Sequence, residues 1–90
     1  MIVSIEDKFF DTEKAIFNLL LTEKTGNLQY PKTGEIYLSS DNIWYLRKPD
    51  INNKGEWKLT TPSEILSEYL SCISPEDTIK IANAAKIETA

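Results

Sequence analysis

The sequence predicts an α+β domain: an N-terminal helix, a three-stranded antiparallel β-meander, and two C-terminal helices packed on one face of that sheet. Three observations predict it. Apolar residues recur at helical spacing early in the chain, strand formers cluster between positions 35 and 60, and two proline-bearing cap signals follow at 61 and 74.

The helix is read from Ile5, Phe9, Thr12, Ile16, Leu19, Leu20 and Glu23, whose spacing gives an apolar stripe through Phe9, Ile16 and Leu20. Asp11, Glu13, Lys14, Asn18 and Lys24 fall on or near the opposite side, while Phe10, Phe17 and Leu21 widen the stripe. Ser4 with Asp7, or Asp11 further on, supplies the N-cap, and the start is left open between them. Gly26-Asn27 is the stop, because glycine readily takes the left-handed conformation that ends helices.

Pro31 and Gly34 break the chain before the strands. In 35–39, Ile36 and Leu38 face one way and Tyr37 the other. Ser40-Asp41-Asn42 is turn chemistry, 43–48 is a strand with bulk on both sides, and 49–55 is a polar loop. Residues 56–60 alternate charge with Trp57 and Leu59. Short connections between consecutive strands imply an antiparallel meander.

Thr61-Pro62-Ser63-Glu64 is a capping box with proline at the first helical position, where its missing amide costs nothing. Ile65, Leu66, Tyr69, Leu70 and Ile73 form the stripe of that helix. Ser74-Pro75-Glu76-Asp77 repeats the start signal, and Ile79, Ala82 and Ala85, with Ile81 as a further candidate, turn inward in the last helix.

A chain of 90 residues, 41% apolar and 27% charged, has the size and composition of one folded domain spanning 1–90. Its net charge of −4 argues against general affinity for nucleic-acid backbone. The lone cysteine, Cys72, forms no internal disulfide and reads as a structural thiol. With no signal-peptide pattern, and Leu19-Leu20-Leu21 as the longest run of strongly apolar residues, a soluble cytoplasmic protein without membrane contact is expected.

Histidine is absent, which removes the commonest general base, nucleophile activator and zinc ligand. Glu6, Asp7, Glu64, Glu76 and Asp77 fall in first turns of the predicted helices, where acids complete caps and oppose the macrodipole. Asp41-Asn42 and 50–53 lack the glycine and terminal glutamate of a calcium loop, and the three glycines form no phosphate cradle. No enzyme activity, cofactor or metal is expected.

The sheet region is richer in function-bearing residue types. Tyr30, Tyr37, Trp44, Tyr45 and Trp57 are interleaved with Arg47, Lys48, Lys54 and Lys58. A sheet covered by helices on one face exposes the other, and adjacent Trp44 and Tyr45 point to opposite faces. The bland reading is that these rings simply fill a small core. The functional reading is a docking face made of Tyr37, Trp44, Tyr45, Arg47, Lys48, Trp57 and Lys58, since aromatic and arginine side chains dominate protein-interface energetics. It implies a non-catalytic regulator, inhibitor or adaptor that binds a protein partner, with a homodimer as a variant. The alternatives are a single-stranded nucleic-acid binder that stacks bases on these rings, and an acidic nucleic-acid-mimicking inhibitor.

Overall fold

The first 23 residues form strands, not a helix. In the computed structural model, which describes residues 1–23, 32–50 and 56–86, β1 (Ile2–Ile5) and β2 (Lys8–Asp11) make an antiparallel hairpin, and β3 (Phe17–Glu23) joins the main sheet. The expected N-terminal helix is thereby overturned. Its predicted stop at Gly26-Asn27, together with Tyr30 and Lys54, lies outside the described residues.

Local chemistry explains the outcome. Ile2-Val3-Ser4-Ile5 and Lys8-Phe9-Phe10-Asp11 are rich in β-branched and aromatic residues, which lose side-chain freedom in helices and pack well on a pleated surface. Between them Glu6 and Asp7 both take left-handed backbone, with φ of 47° and 66°. Two successive positive φ values define the tight hairpin turn whose twist matches its flanking strands. The predicted stripe is turned inside out as a result. Phe9, Ile16 and Leu20 are exposed, whereas Phe10 and Leu21 are buried and Phe17 packs against the core.

A one-turn 3-10 helix, Thr12–Lys14, carries the chain from the hairpin into β3. There follow β4 (Lys32–Leu38), β5 (Trp44–Asp50) and β6 (Trp57–Thr60), and the four-stranded antiparallel sheet has the order β3-β4-β5-β6. The predicted meander is therefore its last three strands. Registers Leu19↔Ile36 and Ile36↔Leu46 place one set of side chains on one face, and Asn18↔Tyr37, Tyr37↔Tyr45 and Tyr45↔Leu59 place the other.

Two C-terminal helices cover the first face. α1 (Pro62–Glu68) starts at Thr61, whose hydroxyl accepts the Glu64 amide at 3.2 Å, and α2 (Pro75–Ala84) starts at Ser74, which accepts the Asp77 amide at 3.2 Å. Ile65, Ile73 and Ile81 pack there on Leu21, Ile36, Leu38, Trp44 and Leu46. The opposite face, expected to be open, is covered by the hairpin. Val3, Ile5 and Phe10 pack on Tyr37 and Tyr45, with Ile43, Trp57 and Leu59 at the margins. The sheet thus has a core on each side. Among the described residues no helix is long and apolar enough to cross a membrane.

Candidate partner-binding groove

The seven residues predicted to form a docking face are placed mostly inside. Trp44 is buried on the helix side, and Tyr37 and Tyr45 are buried under the hairpin. Trp44 and Tyr45 do point to opposite faces, but each face has its own cover, so neither ring has to be exposed. Phe10 stacks on Tyr45 with centroids 4.5 Å apart, Tyr45 stacks on Tyr37 at 5.1 Å, and half-buried Trp57 lies 5.7 Å from Tyr37. This continuous ring stack is the glue between sheet and hairpin.

The basic members are occupied as well. Arg47 is 8% exposed and its Nη2 donates to Glu35 Oε1 at 3.3 Å. Lys48 pairs with Glu56 at 3.7 Å, and Lys58 reaches Glu68 of α1 at 3.4 Å. The Tyr37 hydroxyl donates to the second Glu35 oxygen. Burial, then that hydrogen bond and the carboxylate charge, pushes the Tyr37 phenol well above its ordinary range. Burial, then the charge of Asp11, raises Tyr45 too. Tyr45 Oη and Arg47 Nη1 are buried and have no hydrogen-bond partner among the described residues.

What the fold exposes instead is the outer side of the hairpin. Phe9 is 78% exposed and Ile2 is 70% exposed, and Phe9 is the one exposed aromatic among the described residues. The register that pairs Ser4 with Phe9 and Ile2 with Asp11 puts Ile2 and Phe9 on the same outward face, diagonal to each other. Beside them runs an open groove of about 440 Å³, lined on one side by Lys8, Phe9, Phe10, Asp11 and Lys14 and on the other by Ser39, Ser40, Asp41 and Ile43.

Both walls are fixed by hydrogen bonds. Asp11 caps the 3-10 turn that carries Lys14 by accepting the Glu13 amide at 3.1 Å. Across the groove, Ser39 closes the β4–β5 turn: its amide donates to the Ile43 carbonyl at 2.9 Å and its hydroxyl accepts the Ile43 amide at 3.1 Å. Asn42 takes the left-handed backbone that the turn requires, with φ of 67°. Lys8 and Lys14 are exposed and enter no ion pair among the described residues. Aromatic surface and uncommitted positive charge therefore coincide here, not on the sheet.

None of Ile2, Lys8, Phe9 and Lys14 belongs to the set expected from the sequence. Lys8-Phe9-Phe10-Asp11 does not alternate apolar with polar, so the sequence pattern alone gives no signal for them; the two-residue period of β2, once paired with β1, sends Phe9 and Phe10 to opposite sides. A second open groove of about 490 Å³ runs between the ends of β5 and β6 and the end of α2, with Trp44, Thr60, Thr61 and Ala85 among its lining residues. It offers less ring surface, since Trp44 is 6% exposed. Among the described residues no group of three or more His, Cys, Asp or Glu side chains could hold a metal ion. No family model, no curated protein and no solved structure matches the chain.

Proposed function

We propose that this chain is a non-catalytic protein-binding domain, a small regulator, inhibitor or adaptor, and that it docks through the hairpin groove. The observation that carries this reading is Phe9, a large ring left 78% exposed beside Ile2 in a chain whose other described rings are buried or half-buried. Rigid aromatic anchors surrounded by polar groups are the usual centre of a protein interface. Lys8 and Lys14 define the complement: a segment with a large apolar side chain for the Phe9–Ile2 shelf and carboxylates for the two lysines. Asp11 and Asp41 at the same groove would disfavour wrong registers through like-charge repulsion.

The burial of Tyr37 and Tyr45 favours this reading over a single-strand nucleic-acid one, which needs exposed rings for bases to stack on. The test is affinity capture from the source cells with the intact chain and with Phe9→Glu, both checked for an unchanged circular dichroism spectrum. A partner captured by the first and lost by the second is the expected result. Capture that ignores Phe9→Glu would move the docking surface elsewhere.

A further inference from the structure

We infer that β3 is a self-association edge, pairing antiparallel with β3 of a second copy about a two-fold axis through Leu20. This goes beyond the hairpin reading and does not depend on it.

The two edges of the sheet are built differently. β6 is four residues long, carries Lys58, and has β1 lying against it. Those are the usual devices that stop an edge from recruiting another strand. β3 is seven residues long, β4 is its only strand neighbour among the described residues, the 3-10 turn Leu70–Cys72 lies against it, and its first six residues, 17–22, carry no charge. Every second residue of such an edge directs its amide and carbonyl away from the sheet, as a template for pairing.

The pattern of β3 selects a second copy as the occupant. Its central residue is Leu20, 61% exposed, flanked by Leu19 and Leu21 and then by Asn18 and Thr22. An antiparallel copy centred on Leu20 sets Leu20 opposite Leu20, Leu19 opposite Leu21, and Asn18 opposite Thr22. A two-fold axis perpendicular to the sheet keeps residues of one parity on one face, so on the helix side the half-buried Leu19 of each copy lies beside Leu21 of the other. The hairpin-side contact is Leu20 on Leu20. A chain of net charge −4 meets no like charge across 17–22, which matters for an acidic protein approaching itself. Only one seven-residue strand per protomer pairs, over about 24 Å, so the dimer exchanges with monomer.

Sedimentation velocity of the full chain across a concentration series tests this. A reversible shift toward twice the 10.3 kDa chain mass is expected, abolished by Leu20→Lys and retained in Phe9→Glu. A monomer at every concentration overturns the inference, as does a dimer that Leu20→Lys leaves intact or that Phe9→Glu removes. Should Leu20→Lys fail to fold, cross-linking decides. In a Cys72→Ala background, Leu20→Cys places two thiols on the axis, with Cα atoms about 4.5–5.5 Å apart and within disulfide reach. Air oxidation should then give a covalent dimer, while Asn18→Cys, which faces Thr22 in this register, should not. Equal cross-linking of both variants, or of neither, contradicts the register. Loss of partner capture in Phe9→Glu with the dimer intact would keep the two surfaces separate.

Discussion

Adjacent phenylalanines separate the hairpin from the helix that the sequence suggests, and their truncation gives a large contrast. Phe10 is 6% exposed and stacks on Tyr45 at 4.5 Å, so Phe10→Ala removes a buried ring from under the hairpin. Phenylalanine-to-alanine changes in cores cost about 3–5 kcal/mol, and a stacked ring pair adds about 0.5–1.5 kcal/mol beyond burial. A two-stranded hairpin has little stability of its own, so its docking depends on Val3, Ile5 and Phe10. The expected loss is about 4 kcal/mol, a large part of the roughly 5–10 kcal/mol available to a domain of this size. Phe9→Ala, one residue away and 78% exposed, is expected to change stability by less than about 0.5 kcal/mol. Urea titration followed by the fluorescence of Trp44 and Trp57 measures both. A Phe9→Ala loss equal to or above that of Phe10→Ala would refute the reasoning, since only a helix with Phe9 on its inner stripe behaves that way.

The remaining tests concern the sheet interior. A Cβ at Gly34 would collide with the Arg47 carbonyl oxygen and lie 2.7 Å from the Pro49 nitrogen. Because those are backbone atoms that cannot swing aside, Gly34→Ala is expected to lose about 2 kcal/mol or more in the same titration, and a neutral result would contradict the close approach of β5 here, where the β4–β5 register shifts between Thr33 and Glu35. Tyr45→Phe removes a buried hydroxyl that has no hydrogen-bond partner among the described residues, so stability should hold or rise by up to about 1 kcal/mol; a loss of about 1 kcal/mol or more would mean the hydroxyl is satisfied. The raised Tyr37 and Tyr45 phenols make the fold sensitive to alkali. Below about pH 10 native and unfolded chains both keep these protons, and above it the unfolded chain releases protons that the native chain retains. Stability therefore falls as pH rises past that point, by about 1.4 kcal/mol per pH unit per retained proton. Urea midpoints at successive alkaline pH values should decline, less steeply in Tyr37→Phe, and a flat profile would contradict the burial.

The legibility of the fold followed how local each signal was. Thr61 and Ser74 cap their helices within four residues of sequence, and both bonds form as the sequence implies. Ile36, Leu38 and Tyr37 alternate as read, because period two is visible within one strand. The first 23 residues misled because Phe9, Ile16 and Leu20 fit a helical stripe that shorter alternations also fit. Their β-branched and aromatic content was the better guide, and Glu6-Asp7 hides a turn more often written with asparagine and glycine. That error carried into the site. With a helix at the start, nothing covers Tyr37 and Tyr45 and the rings read as free; the hairpin that covers them exposes Phe9 in their place.

Nuclear Overhauser contacts across the N-terminal segment test the whole construction most directly. Close approach of the Val3 and Phe10 backbones is expected from the hairpin that seals the second side of the sheet, and of Phe17 and Leu38 from β3 pairing within the sheet. A run of consecutive amide–amide contacts through 4–24 would show a helix there, and both the exposed Phe9 and the free β3 edge would go with it.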